Sequence, residues 1–345
     1  MHRWLLLFVG LLSCAALPAA GGPRVTRRGL AAAARYSAAR GGLSLIVWRR
    51  GRTVLERYDN GGSAKEPVRL ASCVKSLWGL AAVAAAQDGL LDLDEPVAAT
   101  LGDWADDEEK KAATVRELLS MTAGVVPGGD VIYDDATADV RAAALRLPFD
   151  AAPGASFQYG PAGMELFGEI LARKLGPRGE TPRAYLERRL LRPLGVAPAE
   201  WREDAAGHPW MSSGAKLTAR GLLRIGRLVL GQGRARGARI LDRKALAQLF
   251  KGSAANPMYG LTFWLNAGAT RKDAVEVDVE NALAEGRAVD WGRACLSRAA
   301  PPDLVAMVGS WNQRLYVVPS LGLVVVRQGA GGDFRDADFL RLLLQ

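Results

Sequence analysis

Residues 70–89 read LASCVKSLWGLAAVAAAQDG, and the interpretation of the whole chain turns on this stretch. Ala and Leu dominate it, no proline interrupts it and Asp88-Gly89 stops it, which predicts one long helix. A helix this uniformly apolar must be buried on most of its faces. Ser72 and Lys75 stand at its start, three positions apart and therefore on one face. The first-turn amides and the helix dipole favour negative charge developing at that end. Burial of the lysine lowers its pKa, so that the amine can take the hydroxyl proton and make the serine a nucleophile.

The composition around this helix narrows the chemistry. The chain has 345 residues, 49% hydrophobic and 23% charged, enough for one large domain or two modest ones with a packed core. That balance excludes a disordered, collagen-like or coiled-coil protein. The net charge is +9, carried mostly by scattered arginines without a like-charge block, so no nucleic-acid partner is expected. The two histidines are His2 and His208. A Ser–His–Asp triad therefore has one available base, His208, which reads as a loop residue in AGHPW, and a multi-histidine metal site has none. Neither a metal nor a cofactor is expected.

Residues 1–21 (MHR, then WLLLFVGLLSCAALPA, then small residues) read as an export signal, too short for a comfortable membrane span. A retained anchor is the plainer alternative, and it would confine membrane attachment to the N-terminus. Leu11-Leu12-Ser13-Cys14 is similar to a lipoprotein box with Cys14 as the lipidated residue, and cleavage near Ala20 or Gly21 is the other outcome. The expected location is thus periplasmic or extracellular. Cys73 and Cys295 then remain, either as a disulfide or as two buried thiols.

Residues 22–34 form a Gly/Arg/Ala-rich lead-in without periodicity, and residues 35–345 read as a single domain with two lobes. Leu43–Asp59 predicts two strands around an Arg50-Gly51 turn. Thr114 and Glu117 have capping-box spacing, Pro161 opens GMELFGEILARKL, and Thr181-Pro182 and Thr218 open further helices. Strands return in MYGLTFWL, LVAMVG, RLYVVP and LGLVVVRQG, before a last helix in ADFLRLLLQ. Residues 270–290 are charged and irregular and read as a surface excursion. The fold class expected is α+β: an antiparallel sheet from both chain ends (35–70 and 255–345), flanked by helices, with a helical lobe over 71–254.

Ser-x-x-Lys occurs twice, at Ser72/Lys75 and at Ser213/Lys216, and about one such pair is expected by chance. Context favours the first, since Ser213-Gly214-Ala215-Lys216 lies in a glycine-containing turn that reads as a solvated loop. The segments ASCVKS, LLSMTAG, FQYGPAGMELFGEIL, LLRPLGV and RLYVVPSLGLVVVRQG follow one another in order. Together they resemble the serine β-lactamase-like family, which contains class C β-lactamases, D-alanyl-D-alanine peptidases and esterases. The resemblance runs from about Leu43 to Gly329 and implies the β-lactamase/transpeptidase-like fold.

By that resemblance Ser72 is the nucleophile, Lys75 its proton partner and Tyr159 the hydroxyl that shuttles protons to leaving group and water. Met307-Val308-Gly309-Ser310 takes the place of the third motif, where Gly309 admits the substrate and the Ser310 and Ser72 amides form an oxyanion hole. Two positions depart from the pattern. Pro161 replaces an asparagine that contacts the lysine, and Met307 replaces a cation that holds a substrate carboxylate. Loss of such a charge-assisted contact costs about 1.5–3 kcal/mol, unless another arginine, Arg298 or Arg314 by sequence proximity, supplies it. The expectation is therefore a serine hydrolase acting on a small-molecule, peptide or ester substrate, with true β-lactam hydrolysis less expected. The alternative is a catalytically retired member that binds a cell-wall or glycan ligand. Plainer interpretations make Tyr159 a half-buried core tyrosine, Cys73 a small packed side chain and Trp78 a core residue. They leave one or two of Trp201, Trp210, Trp264 and Trp311 to line an acyl pocket.

Overall fold

A computed structural model describes residues 22–345; the segment expected to be an export signal, with Cys14, lies outside the described residues. Six strands form the main sheet: β1 (Gly42–Arg49), β2 (Arg52–Tyr58), β3 (Trp264–Leu265), β4 (Val305–Gly309), β5 (Gln313–Val318) and β6 (Leu323–Gly329). Their spatial order is β2-β1-β6-β5-β4-β3, antiparallel throughout, so β1 from one chain end pairs with β6 from the other. The β1–β2 hairpin turns through Arg50 and Gly51, at φ 45° and 94°. Two left-handed residues match the twist of a tight hairpin. Strands β4, β5 and β6 are buried along their whole length, as expected for a sheet covered on both faces.

Side-chain alternation fixes what covers each face. Helix α4 (Ala219–Leu230) packs on one face, where a Cβ at Gly226 would meet the Leu315 and Val324 side chains at 2.7 and 2.5 Å. Tyr316, the neighbour of Leu315, points to the other face and stacks on Phe339 of the last helix, α6 (Asp336–Leu343). Helix α1 (Arg27–Ala38) packs beside α6. Residues 27–34 are therefore helical rather than an irregular lead-in, a correction to the sequence-based expectation. The buried stripe of α1 is Gly29, Ala33, Ala34 and Ser37, small residues that raise no hydrophobic periodicity. They let backbones touch instead: a Cβ on Gly29 would lie 2.8 Å from the Leu343 carbonyl oxygen.

The intervening segment is largely helical. Helix α2 (Cys73–Gln87) is buried from Cys73 through Ala85. Asp88 and the left-handed Gly89 end it. The Thr114–Glu117 capping box forms with both of its reciprocal bonds. Helix α3 (Ala162–Leu175) follows Pro161, which occupies the N-cap position. Cys73 and Cys295 are both free and buried, so the thiol alternative holds and the disulfide does not.

Residues 270–290 are not a mere excursion. Val275–Glu276 pairs with Ala294–Cys295, and helix α5 (Val279–Ala284) returns to the mouth of a large cavity beside Ser72. No helix among the described residues is long and apolar enough to cross a membrane.

Candidate active site

The start of α2, the approach to α3 and the end of β4 meet at a cavity of about 750 Å³. Ala71 precedes the nucleophile position at φ 48°, a conformation that a non-glycine residue adopts only under constraint. The Leu70 carbonyl accepts from the Cys73 amide at 3.2 Å, closing the turn and directing Ser72 to the cavity. Lys75, one turn on, is almost fully enclosed. Its Nζ lies 2.9 Å from Ser72 Oγ and 3.2 Å from the carbonyl oxygen of Ser212. Burial pushes the ammonium down to about 7, against the opposing charge of Glu165. A lysine so placed spends a large share of its time as a neutral amine at neutral pH.

Tyr159 packs within an aromatic cluster, 5.9 Å from Trp264 and 5.8 Å from Tyr259 between ring centroids. Lys75 Nζ lies 4.8 Å from the centroid of its ring. Burial raises its hydroxyl pKa, and a hydrogen bond with Ser72 works in the opposite direction. The hydroxyl is thus a proton carrier rather than a resting phenolate. Gly160 is required by contact: a Cβ there would sit 2.4 Å from the Pro127 carbonyl oxygen. Ser72, Lys75 and Tyr159 are therefore brought together.

Gly309 ends β4 against the nucleophile turn. A Cβ on it would lie 2.4 Å from the Leu70 carbonyl oxygen and 3.1 Å from the Ser72 amide nitrogen. Only glycine lets the strand edge come this close to the helix start. Among the described residues, the amides of Ser72 and Ser310 donate to no protein acceptor, and both residues line the cavity. Two free N–H groups on neighbouring segments are what a developing oxyanion needs.

Several contributors are invisible in the sequence patterns. Glu165 lies fully buried in α3, its Oε1 accepting from the amides of Met211 and Ser212 at 3.0 and 3.3 Å and from Ser212 Oγ at 3.3 Å. It thereby fixes Ser212, whose carbonyl receives Lys75. Burial raises its carboxyl to about 7, with Arg141 pulling the other way. A glutamate inside an apolar helix gives no sequence signal beyond its break in the hydrophobic face.

Arg314 is the second such residue. Fully buried, it donates to Asp336 at 2.8 Å, to Glu280 at 2.9 Å and to the Gly309 carbonyl at 3.1 Å. Glu280 also accepts from the Asn312 amide at 3.2 Å. This network fixes the turn after Gly309, in which Trp311 and Asn312 both have φ near 60° (60° and 62°). Arg314 is thus consumed by structure, and Arg298 does not line the cavity, so neither replaces the cation missing at the buried Met307. Arg69 does line it, 5.5 Å over the Trp311 ring, and forms no ion pair among the described residues.

The remaining expectations sort by place. Trp210, Trp264 and Trp311 line the cavity, while Trp201 packs on the core residue Trp78 at 5.4 Å. Ser213 and the left-handed Gly214 form a loop, as expected, that lines the cavity, but Lys216 points to Glu200 at 2.6 Å on a short strand (Ala215–Leu217). His208 lies outside the cavity lining, 3.3 Å from Asp204 and 3.4 Å from Asp139. Both carboxylates already accept from backbone amides, at Val140 and His208 for Asp204 and at Ala142 for Asp139.

The sheet built from both chain ends and the Ser-x-x-Lys turn facing β4 can be set beside known proteins. The β-lactamase family model matches residues 27–343, nearly all of the described chain. The chain belongs to the β-lactamase family. Among solved structures it is similar to a penicillin-binding protein homolog from Caulobacter crescentus. That match has a TM-score of 0.65 and 16% identity over 93% of this chain and 97% of that one. It is also similar to a family VIII carboxylesterase (TM-score 0.64, 17% identity, 92% and 97% covered). A β-lactamase from Mycobacterium bovis matches at a TM-score of 0.58 and 18% identity, with 91% and 95% covered. At these identities the likeness is one of fold. Among curated protein sequences nothing matches this chain. Membership makes the chain a serine hydrolase of this superfamily, whose members differ in the bond they open.

Proposed function

We propose that the protein hydrolyses an ester or amide through an acyl-enzyme on Ser72, acting on a small-molecule or peptide substrate outside the cytoplasm. Ser72 Oγ adds to the substrate carbonyl carbon as its proton passes to Lys75 Nζ, and the carbonyl oxygen becomes an oxyanion between the Ser72 and Ser310 amides. The carbon–oxygen or carbon–nitrogen bond then breaks, and the leaving group takes a proton through Tyr159. Water, deprotonated by the same pair, attacks the ester on Ser72 and releases the acid. The observation that carries this proposal is the 2.9 Å contact between Ser72 and a lysine that burial brings to a pKa of about 7.

The departures at Pro161 and Met307 favour ester or unusual amide bonds over β-lactams. A buried methionine supplies no charge for a carboxylate, and Arg69 stands on the rim rather than on β4. The intact Ser72–Lys75 pair weighs against a retired binding protein, since a binding role needs no lysine brought near neutrality. Export rests on the sequence of residues 1–21, which holds a long apolar run and no acidic residue. The test is turnover of a p-nitrophenyl ester series by the wild type and by Ser72→Ala. The wild type is expected to turn over at least one short acyl ester and the variant none. Equal turnover by both would refute the proposal.

A further inference from the structure

A second hollow, of about 540 Å³, shares no residue with the active-site cavity. Trp48 of β1 lines it, together with Arg224 and Arg227 from α4 and Arg234 and Arg236 from the turn that follows. No aspartate or glutamate lines it. Among the described residues none of the four arginines forms an ion pair, and residues 1–21 contain no acidic side chain that could supply one. Four other surface arginines, Arg173, Arg183, Arg188 and Arg220, are by contrast each paired with a glutamate.

Three of the four guanidinium groups have neutral partners, among them Arg234, which donates to the Gly237 carbonyl at 3.5 Å. Arg224 donates to the Gly195 carbonyl, and Arg227 sits 5.2 Å over the Trp48 ring. Four like charges around one hollow repel each other, and no carboxylate among the described residues pairs with them; a bound anion would compensate them. The lining is also amphipathic, because Leu194 and Leu230 join the indole of Trp48 beside the cations. Apolar and aromatic surface next to arginines matches the boundary between lipid tails and phosphate headgroups better than it matches a free ion.

The path of the chain points the same way. Arg49 Nη1 donates to the Val25 carbonyl at 3.0 Å, so the N-terminal segment meets the end of β1 that carries Trp48, on the opposite face of the sheet. The apolar run WLLLFVGLL of the sequence ends at Leu12, thirteen positions before Val25. Arg50 and Arg52 flank the β1–β2 turn next to Trp48, also without ion pairs among the described residues. We propose that this face docks on a membrane bearing anionic phosphate headgroups, with the arginine hollow around Trp48 as its headgroup site.

The test uses the full chain on vesicles of phosphatidylcholine, alone or with about 30% phosphatidylglycerol, in low salt and in about 0.5 M salt. The apolar N-terminal run contributes to both vesicle types alike, so the difference between them reads the arginines. Binding about tenfold or more tighter to the anionic vesicles, falling toward the neutral value in high salt, is expected. The R224Q/R227Q/R234Q/R236Q variant should lose that preference while keeping the wild-type rate on a soluble ester. If its melting temperature falls, R227Q/R234Q alone should lose a measurable part of the preference. Equal binding to the two vesicle types, or a preference that survives in these variants, would overturn the proposal. So would saturable binding of inorganic phosphate by a chain indifferent to vesicle charge, which would make the hollow a site for a soluble anion.

Discussion

Ser212 bridges Lys75 and Glu165, its carbonyl accepting from the lysine and its amide donating to the glutamate, and each is brought by burial to a pKa of about 7. The proton-accepting form of Lys75 is the neutral amine, so kcat/KM on a neutral ester should rise with pH through about 7 and fall away below it. The negative charge of Glu165 supports the protonated lysine. Glu165→Gln retains an oxygen to accept from Met211 and Ser212 but removes that support, so the acid limb of the profile should move to lower pH. A purely structural role for Glu165 would leave the limb in place, and Glu165→Gln would then alter only stability. Ser72 and Lys75 were legible in the sequence because a polar pair at the head of an apolar helix is a conspicuous exception. Tyr159 was legible only through its place in the order of motifs. Glu165 was not legible, because one carboxylate in a helix reads as a solvent-facing residue until the packing around it is known.

Among the elements, β4 against the start of α2 matters most. Gly309→Ala would place a methyl group 2.4 Å from one backbone atom and 3.0 Å from another, with no flexible side chain able to give way. The strand must retreat, and the two free amides part with it. Loss of one oxyanion donor costs about 10²–10³ in kcat, and overpacking of this kind costs about 1–3 kcal/mol of stability. Measured kcat for Gly309→Ala should fall within or beyond that range, together with a lower Tm, whereas a shift in KM alone would contradict the oxyanion assignment. Strands and long helices were legible at this scale from alternation, capping residues and the Asp88-Gly89 stop. Helix α1 was missed because its buried stripe is glycine, alanine and serine. The role of α5 was missed because a six-residue helix whose single charge, Glu280, pairs with a buried arginine looks, within a charged segment read in one dimension, like a solvated loop.

For the molecule as a whole, the sheet closes by joining the first strands to the last, and Arg314 of β5 ties the last helix to the site. It links Asp336 of α6, Glu280 of α5 and the Gly309 carbonyl of β4, while Tyr316 donates to the same Asp336. Breaking a buried ion network from one side leaves uncompensated charge, at a cost of about 3–5 kcal/mol. Arg314→Met should therefore lower the urea midpoint strongly and reduce turnover, since the turn carrying Ser310 loses its anchor. A variant as stable and active as the wild type would show that the network is dispensable. The two-ended architecture was legible from strands at both termini around a helical middle. Arg314 was not, because an arginine in a strand gives no hint of three partners that come from three other elements.

The central claim is that Ser72 is an activated nucleophile, and intact mass after exposure to a fluorophosphonate tests it most directly. The prediction is a single adduct that peptide mapping assigns to Ser72, formed faster as the pH rises through about 7 and absent from Ser72→Ala. A folded protein that takes up no label, or one labelled at Ser213, would contradict the account.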